Sequence, residues 1–163
     1  MVRYVFFSFH YERDVWRANQ VRNSWITKPD RVAAGFVDAA AFEEVKKKGD
    51  AAVKKWIDDQ LSGTSVTVVL IGSETSTRPF VEYEIKQSYG KNGLLGLYIH
   101  NLKDQNQKTD IKGSNPFDSY YITQPDGSKK YLSSMYSTYD WVSDNGYDNL
   151  GKWIEEAAKK AGR

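Results

Sequence analysis

A near-continuous apolar run, Val66-Thr67-Val68-Val69-Leu70-Ile71, limits the folds open to this 163-residue chain more than any other feature. Its β-branched residues leave no solvent-facing side, which is typical of a central strand covered by helices on both faces. We predict a strand over residues 64–72. Tyr4–Phe9 has the same character and predicts a second central strand, and Gly93–His100 predicts another.

Segments with helical periodicity separate these strands. We predict helices over Arg13–Trp25, Asp50–Leu61, Pro79 to about Tyr89, and about Asp148 to Ala161. Asp50 is expected to cap its helix, Gly63 to end it in the left-handed conformation, and Pro79 to open the next helix. Gly35–Asp38 gives a weaker strand signal. Strands that alternate with helices predict an α/β fold with a mostly parallel sheet and helices on both faces.

Residues 101–139 interrupt this alternation as a long insertion rich in Asn, Asp, Ser, Gly, Pro and Tyr. The segment is too long for a plain connection. It predicts a short hairpin around Pro125–Gly127 and a strand near Tyr139–Val142. A functional lid or partner surface and plain surface elaboration explain it equally well. Since no linker or repeat is visible, we predict a single domain over residues 1–163.

The composition excludes several classes of function. A net charge of +2 gives no strong attraction to nucleic acid or membranes. The chain has no cysteine, and its two histidines cannot build a His-rich metal site alone. It shows no cleavable signal pattern, and no apolar run nears the ~18 residues of a membrane span. We therefore expect a cytoplasmic protein without a metal site. The usual glycine-rich nucleotide and hydrolase motifs are also absent.

Two glutamates share the helix that follows the core strand. In open α/β sheets ligands bind beyond the carboxyl ends of the strands, so a carboxylate here is positioned for chemistry. Glu82 and Glu84 flank the inward stripe of the helix symmetrically, and periodicity does not choose between them. Glu82 has Lys86 four residues later, a favourable surface pair, whereas Glu84 has only Ser88 there. Glu84 thus remains a candidate for function, with a solvated surface carboxylate as the alternative.

The other strand ends carry further candidates. Ser8, Phe9, His10 and Tyr11 follow the first strand and suit a planar ligand, although an ordinary loop at a helix start explains them at least as well. Asp38 ends the weak strand, a position where acidic residues can bind ribose hydroxyls. Asn115–Asp118 predicts a turn.

Seven segments, in order, carry a likeness to a known family between about residues 3 and 153: Val5–Tyr11, Asn19–Trp25, Ala33–Ala39, Thr64–Ser73, Arg78–Ile85, Asn115–Asp118 and Tyr139–Tyr147. In them the chain resembles the TIR-like subunit of Thoeris antiphage systems. The resemblance implies a flavodoxin-like TIR fold and an enzyme that consumes NAD⁺. TIR enzymes carry an aromatic residue four positions before a catalytic glutamate. That pattern falls on Phe80, where the family often has Trp, and on Glu84, which resolves the tie with Glu82.

The resemblance also implies the reaction. NAD⁺ is cleaved at the nicotinamide–ribose bond, and ADP-ribose is cyclised to a signalling isomer of cyclic ADP-ribose that activates a separate effector protein. NAD⁺ is then the substrate, and no cofactor is expected. Candidates to stack on rings or exclude water are Phe9, Tyr11, Phe36 and Phe80, and candidates for polar contacts are Ser8, His10 and Asp38.

An always-active NAD⁺ consumer would harm its host, so we expect activation by a phage-derived trigger or by self-assembly. The alternative function is a noncatalytic TIR-type module that transmits a signal by assembly. A flavodoxin-like protein that binds flavin is a third possibility.

Overall fold

The computed structural model describes residues 3–34 and 39–163, without the side chains of residues 39–42. In these ranges the strands are β1 (Arg3–Ser8), β2 (Arg31–Ala34), β3 (Val66–Ile71), β4 (Gly93–Tyr98), β5 (Tyr121–Thr123), β6 (Lys129–Tyr131) and β7 (Thr138–Asp140). One sheet has the order β2-β1-β3-β4-β7, and all its pairings are parallel. The strands β5 and β6 form a separate antiparallel hairpin.

The helices are α1 (Tyr11–Ile26), α2 (Ala39–Lys46), α3 (Asp50–Ser62), α4 (Pro79–Ser88) and α5 (Gly146–Lys160). Alternate residues of β3 pack on opposite faces of the sheet. Val66, Val68 and Leu70 join the core under α1 and α5, whereas Val69 and Ile71 join the core under α4. The strand is buried on both sides, which confirms the expected α/β sandwich.

The order of the strands creates a crevice beside β1. The chain goes from β1 to β2 on one side, and β3 lies on the other, so β1 and β3 flank the topological switch point of the sheet. Ser8, the last residue of β1, is level with Val69 of β3. Pro79 begins α4 as expected, only eight residues after β3 ends. The start of α4 therefore lies at the end of the sheet where ligands bind in this architecture.

Several predicted boundaries differ from the structure. The helix predicted from Arg13 begins two residues earlier, at Tyr11. The short helix α2 was not predicted. The weak strand predicted at Gly35–Asp38 lies outside the described residues, and the strand that the structure describes in this region is β2, which ends just before it.

Both predictions about the capping of α3, by Asp50 at its start and by Gly63 at its end, are wrong. Asp50 is the first helical residue after Gly49, and no side chain caps this helix start. Gly63 has a φ of −94° and is not left-handed. Thr64 ends the helix instead, because its backbone N–H and its Oγ both donate to the carbonyl of Leu61, at 3.0 and 2.8 Å.

The insertion has the predicted hairpin, with Pro125–Gly127 in the turn between β5 and β6. The strand expected near Tyr139–Val142 is β7, which ends at Asp140. Part of the insertion belongs to the core, since Phe117 and Leu132 are buried against the α4 face. Asn115 accepts a hydrogen bond from the Phe117 N–H at 3.0 Å in the predicted turn. Among the described residues, no helix is long and apolar enough to cross a bilayer.

Candidate functional site

A cleft of about 470 Å³ opens beyond the carboxyl end of β1, next to the switch point. Three segments form it: the turn from β1 into α1, the first turns of α3, and the first two turns of α4. The lining residues are Phe9, His10, Tyr11, Glu12, Asp50, Val53, Lys54, Arg78, Pro79, Phe80, Val81, Glu82, Tyr83, Glu84 and Lys86. The volume is within the range of small-molecule sites.

Glu84 is the buried acid of this cleft, with a relative exposure of 6%. Its Oε2 atom has no hydrogen-bond partner among the residues that the structure describes. Burial disfavours the ionised form and raises the pKa of the carboxyl group to about 8, although the nearby Ser8 hydroxyl acts in the opposite direction. The Ser8 Oγ itself has no hydrogen bond of ordinary geometry in the described part of the chain. The carboxyl group is therefore desolvated, and its Oε2 atom is unpaired in the described part of the chain.

The packing of α4 explains why Glu84, and not Glu82, is buried. Val81, Ile85 and Ser88 all face the sheet, as the helical pattern predicts. The Ser88 and Thr67 hydroxyls share a 2.7 Å hydrogen bond that fixes the helix on β3. The end of β1 then covers the Glu84 side of the stripe. The Glu82 side is open, and the expected pair with Lys86 forms at 2.7 Å.

The structure brings together most of the predicted site residues. Phe9, Tyr11 and Phe80 are partly buried and line the cleft. The ring centroids of Phe9 and Tyr11 are 5.9 Å apart. His10 also lines the cleft, and burial, with a smaller contribution from the charge of Arg78, lowers its pKa and favours the neutral imidazole.

Ser8 does not line the wall of the cleft. Ser8 is fully buried below it, beside Glu84. Phe36 and Asp38 lie outside the described residues. The roles predicted for all these side chains stay predictions, because position alone does not test them.

The sequence did not indicate that α3 contributes to the site. Asp50, Val53 and Lys54 reach the cleft because α3 and α4 are neighbours on one face of the sheet. Tyr83 joins the two helices, since its hydroxyl donates to both carboxylate oxygens of Asp58, at 2.7 and 2.9 Å. Desolvation, and then this hydrogen bond, raise the pKa of Tyr83 to about 12. Arg78 also lines the cleft. It had a local signal in the sequence, because it precedes the proline that begins α4.

The chemistry available in the cleft is that of one buried carboxyl group among aromatic rings, with basic side chains and three more accessible carboxylates on the wall. No group of three or more His, Cys, Asp or Glu side chains suited to a metal ion occurs in the ranges that the structure describes.

Comparisons with known proteins agree with this geometry. Residues 6–104 match the family described as "Thoeris protein ThsB, TIR-like domain". The chain is also 38% identical, over 191 aligned positions, to a protein of Bacillus cereus (strain MSX-D12) named "Putative cyclic ADP-D-ribose synthase ThsB1". That alignment covers 94% of this chain and 100% of the relative.

Proposed function

Because this chain belongs to the TIR-like family of Thoeris ThsB proteins, we propose that it is an NAD⁺-cleaving ADP-ribosyl cyclase. It breaks the nicotinamide–ribose bond and closes ADP-ribose into a signalling isomer of cyclic ADP-ribose. The observation that carries the proposal is the buried Glu84 carboxyl group, whose Oε2 atom has no partner among the described residues, in a cleft at the switch point of the sheet. The name of the Bacillus relative, a cyclic ADP-D-ribose synthase, agrees with it.

One carboxylate is sufficient for the first step. When the C1′–N bond breaks, the bonding electron pair leaves with nicotinamide, which departs as a neutral molecule and needs no general acid. Positive charge develops on the ribose, as in glycoside cleavage. A carboxylate fixed in a desolvated site stabilises that charge without reorganising. The substrate also helps the acid, since a cationic nicotinamide ring close to Glu84 lowers its pKa and favours the ionised form.

Cyclisation depends on keeping water out. A hydroxyl of the ADP-ribose part must reach C1′ before water does and then lose its proton, which requires a folded-back substrate in a dry site. Phe9, Tyr11 and Phe80 supply apolar surface around Glu84 and are our candidates for this role. NAD⁺ is the substrate in this scheme, and no cofactor takes part.

The product acts on a separate effector protein, and activity begins after a phage-derived trigger or self-assembly. Both statements are proposals that follow from the family. An enzyme that consumed NAD⁺ continuously would harm its own cell, so control of the cleft is expected.

The test compares Glu84→Gln with the matched control Glu82→Gln, two substitutions two residues apart on one helix. Each protein is incubated with NAD⁺, alone and with lysate of phage-infected cells, and nicotinamide and cyclic products are measured by mass spectrometry. Glu84→Gln should lower product formation on the order of 10²–10³-fold, the cost of removing a main electrostatic contact in a transition state. Glu82→Gln should leave it nearly unchanged, because Glu82 pairs with Lys86 at the surface.

Full turnover in the Glu84→Gln protein would remove the carboxylate from the mechanism. No nicotinamide from the wild type under any of these conditions would instead favour the alternative function, a noncatalytic assembly module.

A further inference from the structure

Two basic side chains on the wall of the cleft, Arg78 and Lys54, have no ion pair among the described residues, although Asp50 also lies on this wall. Two of the acids on its wall are already paired: Glu82 with Lys86 and Glu12 with Lys46, each at 2.7 Å. Arg78 and Lys54 are left. The Arg78 guanidinium is half-buried, yet it makes no hydrogen bond or ion pair with any residue that the structure describes. Lys54 is exposed, and its Nζ lies over the ring of Tyr83, 5.3 Å from the centroid.

The start of α4 adds partial positive charge beside Arg78. Arg78 is the N-cap residue of α4, and no side chain caps the start of this ten-residue helix. The backbone N–H groups of the first turn give a helix start partial positive charge. Pairing the guanidinium with an anion would relieve its charge. Among the described residues, Glu12 interacts electrostatically with Arg78 but forms its ion pair with Lys46, so none of these residues supplies a paired anion. The ligand is therefore expected to supply it.

Glu84 and Arg78 are arranged to hold opposite charges of one ligand. They are six residues apart on α4, which corresponds to about 9 Å along the helix axis. Both line the cleft, and the Oε2 atom of Glu84 is buried and unpartnered among the described residues. A cationic group at Glu84 and an anionic group at Arg78 would both be satisfied.

We propose that Arg78 binds the diphosphate of NAD⁺, with Lys54 of α3 as a second contact. The inference rests on the proposed function, because NAD⁺ has the required charges: a cationic nicotinamide ring and, one ribose away, an anionic diphosphate. The planar guanidinium suits two phosphate oxygens at once, whereas lysine acts as a point charge. Arg78 thereby sets the direction of the substrate and presents the nicotinamide end to Glu84.

The test uses two probes that differ in the diphosphate: ADP-ribose, which has it, and nicotinamide riboside, which lacks it. Their dissociation constants are measured by calorimetry or NMR titration. Arg78→Gln should weaken ADP-ribose binding about 10- to 100-fold, as expected for loss of a charged hydrogen-bond pair, and leave riboside binding within about twofold. Arg78→Lys should fall between Arg78→Gln and the wild type, and Lys54→Gln should cost a few-fold.

Lys55→Gln is the matched control. Lys55 follows Lys54 in sequence, is exposed, and pairs with Asp59 at 3.2 Å outside the lining of the cleft. It should bind both probes like the wild type. Arg78→Gln should keep its melting temperature, since the guanidinium has no partner to lose among the described residues.

Three outcomes overturn the inference. Wild-type ADP-ribose affinity in Arg78→Gln would exclude a diphosphate contact. An equal loss of affinity for both probes would mean that Arg78 shapes the cleft without binding phosphate. Either result leaves the proposed function in place if the wild type still cleaves NAD⁺. If the wild type neither binds ADP-ribose nor releases nicotinamide, the proposed function fails, and this inference fails with it.

Discussion

At the residue scale, burial disfavours the ionised form of the Glu84 carboxyl group more strongly than its described neighbours stabilise that form. Its pKa of about 8 in the folded protein exceeds its ordinary value of 4.5. Between these two pH values the unfolded chain has lost the proton while the folded protein keeps it. The free energy of unfolding therefore falls as pH rises through this window. Under the proposed mechanism, the fold is therefore less stable at the pH at which the Glu84 carboxylate would act.

Replacing Glu84 with an uncharged residue removes this pH-dependent loss of stability. Glu84→Gln should stabilise the fold relative to the wild type at pH 8, on the order of a few kcal/mol, because each pKa unit corresponds to about 1.4 kcal/mol. The difference should shrink toward pH 5. Urea unfolding of both proteins at several pH values measures it. The control, Glu82→Gln, should cost about 0.3–0.5 kcal/mol with little dependence on pH in this range, as expected for an exposed pair with Lys86. A pH-independent effect of Glu84→Gln would mean that the carboxyl group is not desolvated as the packing indicates.

At the element scale, the contact between α5 and β4 depends on the absence of a side chain. Gly93 begins β4, and a Cβ atom there would lie 2.5 Å from the carbonyl oxygen of Ala157 in α5. Gly93→Ala must push the helix away, and overpacking of this kind typically costs about 1–3 kcal/mol. The melting temperature should fall by several degrees.

The control substitution is Gly63→Ala, at the end of α3. A Cβ atom at Gly63 meets nothing within 4 Å, and its φ of −94° suits any residue. This variant should be neutral or slightly more stable, because alanine restricts the unfolded chain. If both variants melt like the wild type, α5 does not pack as closely on β4 as described.

The packing of the elements also explains which of them could be predicted from the sequence. The central strands β1, β3 and β4 and the longer helices were predicted because burial imposes a period that each segment carries by itself, as in Val66–Ile71 and α5. The bounds of α3 were predicted closely but its caps were not, because at its C-terminal end Thr64 satisfies the carbonyl of Leu61 through its own hydrogen bonds. Periodicity alone left Glu82 and Glu84 tied, since the tertiary contact with the end of β1 separates them. Lys54 had no local signal, because it reaches the cleft only through the packing of α3 beside α4.

At the scale of the whole molecule, the insertion is attached near the cleft through α1. Arg17 of α1 donates to the carbonyls of Leu102 and Lys108, at 2.7 and 2.9 Å, and Arg13 pairs with Asp110 at 3.0 Å. The first half of the insertion is thus held to the helix whose first turn lines the cleft. The tip of the hairpin is different, because its hydrogen bonds at residues 124–128 are made within the tip.

This difference predicts that stability and triggering respond to different parts of the insertion. Replacing residues 124–128 with a two-residue Asn-Gly turn should leave one cooperative unfolding transition and a melting temperature within a few degrees of the wild type. If the tip senses the trigger, NAD⁺ cleavage in infected-cell lysate should be lost, while ADP-ribose binding is kept. Arg17→Met, by contrast, should lower stability by about 3–5 kcal/mol, since it removes the main counter-charge of the buried Asp14. Normal triggering of the shortened protein would show that the hairpin is surface elaboration, and the sensor would then have to lie elsewhere.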